Sequence, residues 1–302
     1  MIYTVTLNPS LDVVTNAENF ERGKLNRGGE TYFCVGGKGI NVSLVLTALG
    51  AENTALTFVA GRTGEVILSE LQRLNQNCDF FTLPIGNSRI NTKICDRQKN
   101  CETEINGCGP NLTEGSLAWL KEKLSALNTD DIAVFSGSIP KGAEKSLYFN
   151  LASAASPAKV IIDASGEAFC EALKAKPFLV KPNYNEICDF AKFCPQTEAE
   201  LLKAMKAVQN AGAKNVLLSL GGNGARLLTE NGEMLRQDAP EGKAVYTVGA
   251  GDSAVAGFIH GFKNGKHSYS YALRCAVAAG SATAFSQGLC SRTSFEKIFN
   301  SI

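Results

Sequence analysis

No Cys-x-x-Cys pair occurs in this chain of 302 residues, although it carries ten cysteines. Scattered thiols in a chain long enough to bury a full core do not form a disulfide framework. They imply free thiols in a reducing, cytoplasmic setting. Histidine is nearly absent: His260 and His267 are the two, and neither falls in an HExxH spacing that would hold zinc. There is no basic block, and a formal net charge of +1 gives nucleic acid or an anionic membrane nothing to hold. No uninterrupted apolar stretch approaches the ~20 residues that span a bilayer. The opening run from Met1 to Pro9 lacks the basic start of a signal peptide and reaches Asn8-Pro9 too soon. Any affinity for an anionic ligand must therefore be local.

What is present is an ordinary globular mixture, 44% hydrophobic and 20% charged, with enough apolar residues for a large core. Short β-branched runs at 2–7, 55–60, 132–136, 160–163, 178–181 and 216–220 alternate with helical patterns at 39–49, 64–75, 114–127, 144–154 and 198–211. That alternation predicts an α/β fold, a mainly parallel central sheet covered by helices on both faces. The strands are apolar nearly throughout, as strands buried on both sides should be. Two stretches, about 11–35 and 87–108, alternate polar with apolar residues and lack a helix. Half-exposed antiparallel strands fit them, either as a small sheet over a cleft or as plain surface hairpins. No linker or repeat divides the chain, so residues 1–302 are expected to form one domain.

Three glycine clusters carry the chemistry. Gly36-Gly37-Lys38-Gly39-Ile40-Asn41 opens a helix, where bare backbone and free N–H groups can receive an anion. The plainer reading is a tight loop with a solvated lysine. Ser219-Leu220-Gly221-Gly222-Asn223-Gly224 follows a strand, but Ala225-Arg226-Leu227-Leu228-Thr229 after it reads as another strand, so a Rossmann site is not indicated. No Gly-Lys pair is followed by Ser or Thr, which removes a Walker loop. Val248-Gly249-Ala250-Gly251-Asp252 opens an apolar helix. Its N–H groups can meet the charge of a transferring phosphoryl, with Asp252 as a base or, more plainly, as an N-cap.

Taken in order, these clusters resemble the two signatures of the ribokinase-like (PfkB) sugar kinase family. Thr6-Leu7-Asn8-Pro9-Ser10-Leu11-Asp12, Ser136-Gly137-Ser138-Ile139-Pro140, Asp163-Ala164-Ser165-Gly166 and Val180-Lys181-Pro182-Asn183 match it as well. The resemblance covers the whole chain. It implies a three-layer α/β/α sandwich with a small β-sheet lid formed by the two polar excursions. Within the family, the runs Arg89–Ile94 and Thr103–Pro110 are most similar to the branch acting on fructose 1-phosphate. Tagatose 6-phosphate and fructose 6-phosphate are the alternative substrates on the same scaffold. A kinase for unphosphorylated sugars or nucleosides, or a non-catalytic sugar-phosphate binder, would use the same fold without this acceptor chemistry.

The resemblance also implies roles. Asp252 is the general base for the accepting hydroxyl, and Gly249, Ala250 and Gly251 form the anion hole. Asp12 and Asn41 hold sugar hydroxyls, with Gly37, Lys38 and Ser138 beside them. Arg89 takes the substrate's own phosphate through its planar fork, and Lys24, Arg27 and Lys93 are helpers from the lid. Lys181, Asn183, Ser219, Gly221 and Gly224 line the nucleotide, and Ser286 approaches the adenine. Glu186 places Mg²⁺ through water. The implied partners are ATP and a phosphorylated ketohexose, with a second copy meeting this one through the lid.

Overall fold

Strands that are apolar on both sides need cover on both faces, and the computed structural model, which describes residues 1–99 and 101–302, supplies it. The first third of the chain runs β1 (Ile2–Thr6), β2 (Ser10–Ala17), β3 (Thr31–Gly36), α1 (Lys38–Ala48), β4 (Thr54–Ala60), α2 (Gly61–Arg73) and β5 (Cys78–Leu83). The middle runs β6 (Arg89–Asp96), β7 (Cys101–Asn106), α3 (Glu114–Ser125), β8 (Ile132–Ser136), α4 (Leu147–Ala154), β9 (Lys159–Asp163), α5 (Gly166–Leu173) and β10 (Leu179–Val180). It closes with α6 (Tyr184–Ala191), α7 (Glu198–Asn210), β11 (Asn215–Ser219), β12 (Ala225–Leu228), β13 (Met234–Gln237), α8 (Ala250–Asn264), α9 (Tyr269–Ala284) and α10 (Arg292–Phe299).

Nine strands form the large sheet in the order β13-β12-β11-β10-β9-β8-β1-β4-β5. All neighbours from β11 to β5 are parallel, while β12 pairs antiparallel with both β11 and β13 and alone runs against the rest. Successive side chains part to opposite faces. Ala133 and Phe135 pack with Leu120, Tyr148, Leu151 and Ile187 of the α3–α7 side. Ile132 and Val134 pack with Val45, Leu46, Val255 and Ile259 of the α1/α8 side. The expected mainly parallel sheet between two helical layers is therefore what forms. Strand β1 lies between β8 and β4, where the chain order reverses, and a crevice opens there outside the strand C-termini.

The smaller sheet has the order β3-β2-β6-β7. Here β2 and β6 are parallel and the other pairs antiparallel, so the two polar excursions do meet. Its root is apolar: Leu11 of β2 and Val35 of β3 pack against Ile40, Val59, Ile67 and Leu71. Beyond the root its two faces differ. Asp12, Cys34, Asn91 and Lys93 look into the crevice. Phe33, Ile90 and Ile105, on the other parity, are 58%, 44% and 64% exposed. All ten cysteines are free thiols, and no described helix is long and apolar enough to cross a membrane.

Candidate active site

The crevice has an accessible volume of about 2310 Å³ and is lined from both sheets, from the N-termini of α1 and α8, and from the loops after β9, β10 and β11. Among the residues the sequence singled out, Asp12, Gly37, Lys38, Asn41, Arg89, Lys93 and Ser138 line it on the side of the small sheet and α1. Lys181, Asn183, Ser219, Gly221, Gly224, Gly249, Ala250, Gly251 and Asp252 line it on the other.

Asp252 does not cap α8. The N-cap is Gly249, at φ +81°, with no side-chain cap bond. Ala250, Gly251 and Asp252 are the helix's first three residues, whose N–H groups lack intrahelical acceptors. Ala250 gives its N–H to Thr247 over 3.2 Å, which leaves those of Gly251 and Asp252 facing outward as a two-donor nest. A left-handed residue is required at 249, and a side chain there would strike Leu289 at 2.5 Å, so glycine serves both conformation and space. The Lys181 ammonium approaches to 3.1 Å from where a Cβ on Gly251 would stand, placing a cation over the nest.

The Asp252 side chain is 5% exposed and accepts from Asn41 Nδ2 at 2.8 Å. Burial, then the nearby Asp163 carboxylate, push its carboxyl up to about 6, against the Asn41 bond and the Lys38 and Lys181 charges. A carboxylate of this kind is poised to accept a proton near neutrality.

Asp163, at the end of β9, is the hub beneath. It is 1% exposed and lies 3.4 Å from Lys181 Nζ and 3.7 Å from Lys38 Nζ, while Ser136 Oγ donates to it at 3.3 Å. Burial would raise its carboxyl, but Lys181 and Lys38 outweigh that and hold it below the usual range. Asp163 itself holds the Lys38 ammonium above its ordinary value, against burial and with help from Asp252 and Glu186. No role was drawn for Asp163 from the sequence. Its run Asp-Ala-Ser-Gly was visible, but not the two lysines that converge on it.

On the small sheet, Asp12 Oδ1 accepts from Ser10 Oγ at 2.6 Å and Asn91 Nδ2 at 2.9 Å, and Oδ2 lies 3.1 Å from Lys93 Nζ. Gly36 permits this, since a side chain there would collide with Ser10 and with Asp12 Oδ1 at 2.5 Å. Lys93 is 5% exposed and also reaches Glu104 at 3.4 Å and the Tyr246 hydroxyl at 3.0 Å. Burial works against its charge, yet Tyr246 and Asp12 hold its ammonium above the usual lysine range. Arg89, which lines the crevice, spends Nε on the Asn8 carbonyl at 3.1 Å. Burial lowers its pKa, and Asp12 opposes the shift. Asn91 and Tyr246 escaped the sequence reading because neither stands in a glycine cluster.

Four expected residues are not brought to the crevice lining. Lys24 is exposed and pairs with Glu21 at 2.6 Å, and Arg27 is exposed on the same loop. Glu186 turns one carboxylate oxygen back to the Asn183 N–H at 2.8 Å, closing a capping box on α6, although its charge still reaches Lys38. Ser286 donates to the Ala282 carbonyl at 2.7 Å at the end of α9, and its neighbours Phe285 and Gln287 line the crevice instead. Val248, Val277, Ala284, Phe285 and Leu289 give the crevice an apolar part of its lining.

A parallel sheet with a nest at a helix N-terminus, a buried carboxylate beside it and a lysine over the nest defines a phosphotransferase site. Family comparison agrees. Residues 6–295 match the pfkB family carbohydrate kinases, and the chain belongs to that family. It is 40% identical over 291 residues to a 1-phosphofructokinase of Bacillus subtilis, covering 96% of this chain and 94% of that protein. A D-tagatose-1-phosphate kinase of Bacillus licheniformis is 35% identical over 292 residues, 96% of this chain and 94% of that one. Phosphofructokinase-2 from Escherichia coli, solved with substrates and products, superposes with a TM-score of 0.93 at 32% identity, over 99% of this chain and 98% of that one.

Proposed function

We propose that this chain is a 1-phosphofructokinase, transferring the γ-phosphoryl of ATP to the C6 hydroxyl of fructose 1-phosphate to give fructose 1,6-bisphosphate and ADP. The observation that carries the reading is Asp252: buried in the crevice, not capping its helix, held by Asn41 and lying beside free N–H donors. Its carboxylate takes the hydroxyl proton as O6 attacks the γ-phosphorus. The new O6–P bond forms as the bond from phosphorus to the β–γ bridging oxygen breaks, and ADP leaves with that electron pair. Charge on the equatorial oxygens meets the N–H groups of Gly251 and Asp252 and the Lys181 ammonium. Asp12 and Asn41 orient the sugar hydroxyls, and Arg89, with Lys93, faces the phosphate the substrate already carries.

The carboxylates that act on Lys38 beside the crevice are those of Asp163, Asp252 and Glu186, and all three offer hard oxygen donors. A short oxygen set suits a magnesium ion that keeps most of its waters and takes other ligands from phosphates. Glu186, through water, would hold it, and when bound it would neutralise β- and γ-phosphate charge.

The small sheet is read as a lid whose closure excludes water from the transfer. Its outward face, with Phe33, Ile90 and Ile105 exposed, is read as the seat of a second copy, since a two-fold interface would set the same apolar side chains against one another. A second substrate reading, tagatose 1-phosphate, is favoured only by the likeness to the Bacillus licheniformis kinase. The test is a panel of fructose 1-phosphate, tagatose 1-phosphate, tagatose 6-phosphate and fructose 6-phosphate with ATP and Mg²⁺. Fructose 1-phosphate should give the highest kcat/KM, and a higher value for another sugar would reassign the substrate.

A further inference from the structure

The loop after β11 is glycine-rich beyond what its own packing needs. Gly221 has φ +56°, and Gly224, at φ +75°, is pressed against the backbone of Gln237–Ala239. At Gly222 neither reason holds: its φ is not positive, and an added Cβ would touch nothing in the protein. Bare backbone lining a cleft with open space above it is where a ligand approaches the chain closely. The loop's internal bonds, Leu220 N–H to Gly224 O at 2.9 Å and Asn223 N–H to Leu220 O at 3.1 Å, shape it but do not tie it to the rest of the fold.

Arg226 makes that tie. It is the second residue of β12, 4% exposed, and its fork grips Glu198 at the start of α7: Nε to both carboxylate oxygens at 3.1 and 3.0 Å, and Nη2 to Oε1 at 2.7 Å. Its remaining arm, Nη1, reaches the carbonyl of Ala225 at 3.1 Å, that of Asn223 at 3.5 Å, and Asp238 Oδ1 at 3.5 Å. Asp238 is gripped from its other side by Arg236, at 2.8 and 2.9 Å. One buried cation thus joins the helix α7, the Gly221–Gly224 loop and the segment after β13. Loop and segment are neighbouring walls of the crevice, since Gly221, Gly222, Ala239 and Pro240 all line it.

A buried ion pair is weak evidence of stabilisation, because an apolar side chain of the same volume often packs as well. The donors of a guanidinium, fixed in one plane, instead set geometry. We propose that Arg226 is a positioning residue for the nucleotide: it sets the separation of the 221–224 loop and the 238–242 segment. This rests on the kinase reading above, in which that side of the crevice takes ATP.

The experiment compares Arg226→Met, which keeps the volume and removes the fork, with Glu198→Gln, which weakens the same grip from the half-exposed partner. Steady-state kinetics would be run with each substrate varied in turn, and a non-hydrolysable ATP analogue titrated by calorimetry. The expected result for Arg226→Met is a KM for ATP and a Kd for the analogue raised about tenfold. Its kcat and KM for the sugar phosphate should stay within about threefold, and Glu198→Gln should give a smaller shift of the same kind. Unchanged ATP KM in a folded Arg226→Met protein overturns the proposal, as does an equal rise in both KM values. Should Arg226→Met fail to fold, Glu198→Gln decides alone by the same split. A wild-type protein that binds the analogue but phosphorylates no sugar phosphate would sink the kinase reading and leave the calorimetric arm of this test standing.

Discussion

Asn41 Nδ2 donates to Asp252 Oδ2 over 2.8 Å, joining residues 211 positions apart in the crevice. Asp163 acts on the same carboxyl from beneath with the opposite sign. The bond stabilises the ionised form of Asp252 and the neighbouring carboxylate opposes it. The acidic limb of kcat/KM should therefore lie near pH 6 in the wild type. It should move up in Asn41→Ala and down in Asp163→Asn. Parallel movement of the two variants in a pH–rate series would show that the limb belongs to another group.

Asp252→Asn keeps the volume but cannot accept the proton. Its kcat should fall by roughly 10²–10⁴-fold, the usual worth of a positioned base, with KM for both substrates nearly unchanged. Turnover within tenfold of wild type would remove Asp252 as the base.

The same substitution should stabilise the protein, with a definite pH dependence. The Asp252 carboxyl holds its proton more tightly folded, at about 6, than at its ordinary 3.8. Its contribution to stability is complete below about pH 4 and is lost as pH rises through 6. Asparagine carries no such loss. Thermal melts should put Asp252→Asn above wild type at pH 8, with the gap closing by pH 4. A constant gap would point to packing alone.

Arg89→Ala removes the guanidinium proposed for the substrate's own phosphate. A charge-assisted contact of this kind is worth about 1.5–3 kcal/mol, so KM for the sugar phosphate should rise roughly 10–100-fold with ATP KM unaffected. Equal effects on a sugar lacking the phosphate would reassign the residue.

Phe33→Asp with Ile105→Asp places charge on the outer face of the small sheet, away from Asp12 and Lys93. Sedimentation should show the wild type as a dimer and the double variant as a monomer. A wild-type monomer at micromolar concentration would end the two-fold reading of that face.

The layered fold was legible because strands covered on both faces must be apolar throughout, and Ile132–Ser136 shows that without alignment or context. The glycine clusters were legible because backbone approach restricts the residue to one type. The short elements were harder: β10 is two residues between Pro177 and Pro182, and α5 and α6 are each eight residues, too brief for periodicity to declare itself. Lys93 and Asn91 stand in an alternating strand whose polar face would ordinarily meet water. Sequence spacing assigns their face, but cannot say that a cleft lies against it. Nor can it say that Glu186 divides its carboxylate between its own helix and the site, or that Lys38 and Lys181 share Asp163. The Lys38–Asp163 pair, like the Asn41–Asp252 bond, is a fact of convergence between segments more than a hundred residues apart.

The nest at the start of α8 is laid down only after the large sheet has been translated. A chain growing on the ribosome therefore completes both sheets and the 221–224 loop before it acquires the nest and the Asp252 carboxylate.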